Sequence, residues 1–210
     1  MLIGTAYVMQ DLKLDPRWAN KIPPQEPTLK DLADFTFERL NVCQADAVRY
    51  VNGMKQEYGN GVTTLVMIYN ATGSRLILPA GFGTINWHGH LGKYTLDHEI
   101  QNGQWSVFLH THSSGTAAGS SGGVEYTLPK MDTGVSDICV IMCWDTPWNR
   151  SVHSNKIYVE LDENWPDHNA LKKNLDEHQK TSTSNLNGFT VTGDLGDDSS
   201  PIATYILRKN

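Results

Sequence analysis

The sequence predicts a mainly β domain, a sandwich of two sheets with two helices near its N-terminus and one late helix packed outside it. Three observations lead there. Among 210 residues there are 18 Gly and 9 Pro, and Asp, Glu, Lys and Arg together make up only 19%, a turn-rich composition closer to an all-β chain than to a helical bundle. Two apolar stripes of helical period lie within residues 28–59. From Gly61 onward the apolar period shortens to that of strands separated by turns. The length suffices for one well-buried domain and falls short of what two usually need, so 1–210 is expected to be one unit. Residues 1–60 would hold a strand, a connector and the helices, and 61–210 the sandwich.

Taken in order, Ile3 to Met9 suggests a short strand, and Pro16, Pro23, Pro24 and Pro27 suggest a connector running extended over the surface. For the first helix Thr28 is the candidate N-cap, with Asp31 three residues on. Leu29, Leu32, Ala33, Thr36, Phe37 and Leu40 then form one core-facing stripe. In the second, Ala47, Val51, Met54 and Tyr58 repeat at helical spacing, and Gly59 stands where a C-cap with positive φ belongs.

Val62 to Tyr69 and Ser74 to Leu78, joined by Asn70-Ala71-Thr72-Gly73, suggest a hairpin. Further strands are expected at Thr84–His88, Gln104–His112, Gly123–Leu128, Ser136–Trp144, Ser154–Leu161, Phe189–Thr192 and Ile202–Arg208. Ile138 to Trp144 is apolar at every position, as in a central strand covered on both faces, and the helices are candidates for that cover. Asp167 to Gln179 is polar enough to predict an exposed late helix, and Ser113–Gly123 and Lys180–Gly188 are expected to be loops.

The chain carries 17 Lys and Arg against 23 Asp and Glu, net −6; nine acids and three lysines between Glu160 and Asp198 hold the whole excess. Without a basic run, nucleic acid is not an expected partner, and attachment to membranes by charge alone is excluded. No apolar run approaches the ~18 residues of a membrane span. Of three cysteines, Cys139 and Cys143 lie in the apolar run, so buried thiols are expected in place of disulfides. Met1 to Met9 lacks the basic start of a secretory signal. Residence in the cytoplasm is the default expectation, and action at the outer membrane surface would require release by a leaderless route.

Two constellations carry possible chemistry. His88-Gly89-His90 and His110-Thr111-His112 are each spaced i, i+2, which would place each pair on one face of a strand; four imidazoles from neighbouring strands would suit a transition metal. Hydrogen-bonded or solvated histidines are the other reading. No acidic residue falls at short ligand spacing, Glu99 being nine residues past His90. No G-x-S-x-G elbow is present, and Gly115 to Gly123 lacks the ending of a phosphate loop. No catalytic residue, metal or cofactor is therefore expected.

The second constellation is Trp144-Asp145-Thr146-Pro147-Trp148-Asn149-Arg150-Ser151-Val152-His153. A turn at Pro147 would expose the Trp148 indole beside Arg150 and His153, a set suited to a zwitterionic headgroup. Aromatic faces hold a choline ammonium, and Arg or His donors meet its phosphate. Alternatively Trp148 covers a loop of the core.

Tyr58-Gly59-Asn60-Gly61-Val62, Tyr69-Asn70-Ala71-Thr72-Gly73, Asn86-Trp87-His88-Gly89-His90, Ile100-Gln101-Asn102-Gly103-Gln104-Trp105, Phe108-Leu109-His110 and Pro147-Trp148-Asn149-Arg150 resemble the plant 23-kilodalton jasmonate-induced proteins and the fungal nakanori-like proteins of the same family. The resemblance covers nearly the whole chain. It implies an actinoporin-like β-sandwich that binds sphingomyelin together with cholesterol as a peripheral, non-enzymatic membrane protein.

Against actinoporins themselves, Ser114 to Gly119 is similar to their Gly-Pro-Val-Ala-Thr-Gly loop, and Asp145 to Asn155 to their headgroup segment. This places Thr116 at a headgroup-lining Val, Asp145 at a Ser, Pro147 at a Pro and His153 at a Tyr. Their later Tyr cluster has no counterpart around Lys172 to His178, so Trp87 or Trp148 would supply the ring. Their mobile N-terminal helix is replaced here by a strand, so pore formation is not expected. The rival readings are a lectin-like carbohydrate-binding stress protein and a metal-binding β-sandwich enzyme using the four histidines.

Overall fold

The strand-period segments assemble into two sheets packed face to face. This computed structural model describes residues 1–20, 26–80, 83–93, 95–134 and 136–210. The first sheet runs β1 (Leu2–Ile3), β7 (Trp105–Thr111), β2 (Thr63–Ala71), β13 (Ile202–Lys209), β12 (Phe189–Leu195), β11 (Thr181–Leu186), with β5 (His90–Leu91) also on β7. The second runs β10 (Lys156–Asp162), β9 (Ile138–Thr146), β8 (Ser120–Leu128), β3 (Leu76–Ile77), β6 (Glu99–Ile100), with β4 (Thr84–His88) also on β8. Among the described residues β13 and β2 pair in parallel and the other strand pairs are antiparallel. Alternate residues of facing strands meet in the core, with Val66, Ile68, Phe108, Tyr205 and Leu207 from the first sheet against Val124, Tyr126, Val140, Met142 and Trp144 from the second.

The segment expected to be a hairpin instead crosses between the sheets, since β2 belongs to the first and β3 to the second. Asn70 holds this crossing. Its Nδ2 donates to the carbonyls of Ser74 and Ile100, both at 2.8 Å, and its Oδ1 accepts from the Thr72 backbone N–H at 3.1 Å. Gly73 has φ +79°, and a Cβ there would stand 2.5 Å from the Leu29 carbonyl oxygen. Only glycine fits that corner.

Both N-terminal helices lie on the outer face of the first sheet. α3 (Leu29–Phe37) is capped as its sequence suggests: Thr28 Oγ1 accepts from the Asp31 N–H at 3.2 Å, and Asp31 Oδ2 accepts from the Thr28 N–H at 2.8 Å. Its stripe turns slightly from expectation, with Phe35 buried and Phe37 exposed beneath Arg208. α4 (Gln44–Tyr58) buries Ala47, Val51 and Met54 against Leu65, Met67, Trp105 and Val107, and Gly59 ends it at φ +86°.

The late helix, α6 (His168–Glu177), covers the second sheet. Its polar face meets solvent, but Leu171 and Leu175 are buried on Cys139, Ile141 and Cys143, the outward residues of β9. The all-apolar strand is thus covered by the helix expected to be merely exposed, and the N-terminal pair lies on the opposite sheet. All three cysteines are free; burial raises the Cys139 thiol to about 11 and lifts Cys143 still further.

Three further expectations change. The strand at Ile3–Met9 is confined to Leu2–Ile3, and helices α1 (Met9–Leu14) and α2 (Pro16–Ala19) replace part of the extended connector. Pro16 starts α2 because its fixed φ and missing N–H suit the first helical position. Pro23 and Pro24 lie outside the described residues. Lys180–Gly188 contains a strand, β11, whose serines close the seam between the sheets. Ser182 Oγ accepts from the Val159 N–H at 3.2 Å and Ser184 Oγ from the Leu161 N–H at 3.1 Å.

Candidate functional site

The start of β2, the end of β7, the start of β8, the end of β9 and the start of β10 meet at one end of the sandwich. Its interior there is polar. Thr64 Oγ1 lies 2.8 Å from both Ser120 Oγ and Thr146 Oγ1, tying the two sheets together. His110 is 1% exposed. Its Nδ1 is 2.8 Å from Ser120 Oγ, its Nε2 is 3.1 Å from Asn86 Oδ1, and its ring meets Trp144 edge-on at 5.2 Å. Burial pushes this imidazole down to about 3, so it is neutral and structural at ordinary pH.

Above this layer two loops lie against each other. The first spans 113–119 and is turned by Thr116, whose hydroxyl donates to the Ser113 carbonyl at 2.8 Å. A Cβ on Gly119 would stand 2.1 Å from the Thr146 carbonyl oxygen and 2.8 Å from Pro147 Cα. Glycine therefore lets this loop rest on the start of the second, 147–153. In that loop Asn149 organises the chain: its Oδ1 accepts from the Ser151 N–H at 3.2 Å and its carbonyl from the His153 N–H at 3.1 Å.

Pro147 is buried, which turns the next residue outward, and Trp148 is 46% exposed with Val152 beyond it at 69%. Of the two sequence readings of Trp148, the structure selects the exposed one. Thr116, Arg150 and His153 are exposed at the same end. Among the described residues the side chains of Arg150 and His153 have no hydrogen-bond or ion-pair partner, which leaves their donors open to solvent.

Asp145 and Trp87 do not join that tip. Asp145 points from β9 to the outer face of the second sheet, beside Ser121 and Lys156 in register. Its carboxyl is raised by desolvation, with Lys172 of α6 opposing. Trp87 is half-buried against the cluster beneath α6, with Lys172 Nζ 5.9 Å from its ring. The seven candidate residues therefore divide into four that face solvent at the tip, the buried Pro147 that turns them outward, and a lateral pair under the late helix.

The four histidines do not converge. His88 lies in the second sheet and His90 in the first, because Gly89, at φ +104°, carries the chain across between them. A Cβ on Gly89 would stand 2.1 Å from the Thr111 carbonyl oxygen. His110 points between the sheets, and His112 lies past the end of β7. The i, i+2 spacing fails as a same-face argument because neither pair lies within one strand. Among the described residues no three His, Cys, Asp or Glu side chains form a group able to hold a metal.

Sequence reasoning missed two members of the tip. Val152 is an apolar residue in a polar turn, a signal present but unused. His112 packs on Trp148 with centroids 5.3 Å apart, a contact across 36 positions that no local pattern announces.

Comparison with known proteins agrees with this architecture. The sequence model of the Nakanori-like protein family matches residues 4–210. The 23 kDa jasmonate-induced protein of Hordeum vulgare is 38% identical over 143 residues, which are 66% of this chain and 64% of that relative, so the match spans less than two thirds of its length. The crystal structure of the lipid binding protein Nakanori superposes with a TM-score of 0.89 at 30% identity, covering 100% of both chains. With the family match running from residue 4 to the last residue, and a solved relative sharing the whole fold, the chain belongs to the Nakanori-like family.

Proposed function

We propose that this protein is a non-enzymatic, peripheral lipid binder that recognises sphingomyelin/cholesterol membranes through the phosphocholine headgroup. The tip of loops 113–119 and 147–153 would be the docking surface. The observation that carries this is the exposed Trp148–Val152 pair, held outward by a buried proline and flanked by the donors of Arg150 and His153. Indole is favoured at the membrane interface, where its apolar body and polar N–H are both satisfied. Its face attracts a quaternary ammonium while neighbouring donors meet the phosphate. The description of the full-length structural match as a lipid binding protein supports lipid as the ligand class.

Among the described residues no helix is long and apolar enough to cross a membrane, and the proposed contact is shallow.

Co-sedimentation with vesicles of sphingomyelin plus cholesterol, compared with phosphatidylserine vesicles, tests the reading. Preferential recovery with the first is the expected result. Equal or stronger binding to phosphatidylserine overturns headgroup recognition.

A further inference from the structure

Trp148 is backed by a second ring whose chemistry the tip has not yet used. His112 packs on the indole, and Gly61, which has φ +122°, lies against the Nε2–Cδ2 edge of its ring. A Cβ at position 61 would stand 2.6 Å from His112 Nε2, so the Gly61 backbone approaches that edge of the ring more closely than any side chain would allow. Lys55 Nζ donates to the carbonyls of Gly59 at 2.7 Å and Gly61 at 2.8 Å, which fixes the turn carrying this glycine.

The tautomer of His112 follows from its one partner. Nδ1 lies 3.0 Å from the Ser113 carbonyl oxygen. A carbonyl only accepts, so Nδ1 carries the hydrogen, and in the neutral ring Nε2 is a bare lone pair. A lone pair cannot bind phosphate. On protonation the same nitrogen becomes a charged donor, next to an exposed indole and with no protein acceptor among the described residues.

We infer that His112, through Nε2–H of its imidazolium form, donates to the headgroup phosphate of the choline phospholipid whose apolar contact is Trp148, so that membrane binding strengthens on acidification. This rests on the lipid-binding reading above. The charged and titratable groups on the elements around His112 are Asp46, Arg49, Tyr50, Lys55, Glu57 and Tyr58 of α4, His90 of β5, His110 of β7, Arg150 and His153 of the 147–153 turn, and Asp197 and Asp198 of the loop before β13; the 113–119 loop carries none. Two of these are further exposed histidines, so the assignment requires variants.

Co-sedimentation with sphingomyelin/cholesterol vesicles at about pH 7.5 and about pH 5.5 should show wild-type binding about tenfold stronger at the lower pH, the size of one charge-assisted hydrogen bond. His112→Gln should lose that gain, whereas His90→Gln, which lies outside the proposed docking surface, should keep it. As a second measurement independent of variant folding, the His112 ring resonances of the wild type should shift with added phosphocholine at the lower pH only. Excess inorganic phosphate separates the sources. Vesicle binding that survives it supports a headgroup ligand, and loss of the acid gain to free phosphate alone overturns one. Binding that ignores pH, with His112→Gln equal to wild type, overturns the role of His112 and leaves the lipid reading standing. Absence of vesicle binding at both pH values overturns both.

Discussion

Two aromatic residues near the same end of the sandwich have opposite duties, and burial separates them. Trp144 is fully buried and Trp148 is 46% exposed, although both sit in one ten-residue run. Trp148→Ala should therefore leave the urea midpoint nearly unchanged while weakening vesicle binding tenfold or more, if an aromatic contact is worth on the order of 1–2 kcal/mol. Unchanged affinity in co-sedimentation would remove Trp148 from the docking surface. His110 has the reverse profile. Its folded form is held neutral down to about 3 by burial, while an unfolded chain takes up the proton near pH ~6.5. The unfolded state binds more protons between these values, so the stabilisation is complete above pH ~6.5 and is lost as pH falls toward 3. Asp145 acts in the opposite sense, because its raised carboxyl keeps a proton that the unfolded chain would release, a stabilisation lost as pH rises. Urea midpoints should fall between pH ~6.5 and ~4 by the equivalent of roughly 3 kcal/mol. His110→Asn should flatten that slope whatever its cost at neutral pH; an equal slope in the variant would refute the assignment.

The elements that sequence patterning described best are those whose cause is local. Thr28 and Asp31 form the expected capping box, and the apolar run Ile138–Trp144 is an interior strand of its sheet, between β10 and β8. Patterning failed where a polar segment had a partner distant in sequence. The Thr-Ser-Thr-Ser-Asn stretch from Thr181 has the composition of a loop, yet it forms β11 because β12 supplies its backbone partners and β10 needs its hydroxyls. Ser182 is the informative residue, since its Oγ receives the buried Val159 N–H. Ser182→Ala should cost about 1–3 kcal/mol in urea unfolding by leaving that donor without an acceptor, and Ser182→Thr should recover much of it. A neutral Ser182→Ala would mean that the seam is held by packing alone. The late helix illustrates the same limit: ten residues with two leucines look solvated until β9 is placed beneath them.

At the scale of the molecule, net charge and the docking surface are separate properties. The chain is acidic by six charges, and the stretch from Glu160 to Asp198, with nine acids against three lysines, holds that excess. Binding through indole and headgroup contacts does not draw on long-range attraction, so raising salt from about 0.05 M to about 0.5 M should change vesicle affinity less than about threefold. A loss of tenfold or more would indicate an ionic contact with the bilayer surface in place of the proposed one.

Composition and periodicity by themselves determined the mainly β class, the two N-terminal helices and the candidate Pro147–Trp148 turn, because these follow from neighbours within a few residues. Only the tertiary structure decided that Trp148 faces solvent, that His88 and His90 part into different sheets, that Asp145 and Trp87 stand apart from the tip, and that His112 backs the indole. Each of those depends on which strands lie side by side. That pairing is set by burying both faces of an apolar strand at once, a global condition that no single segment encodes.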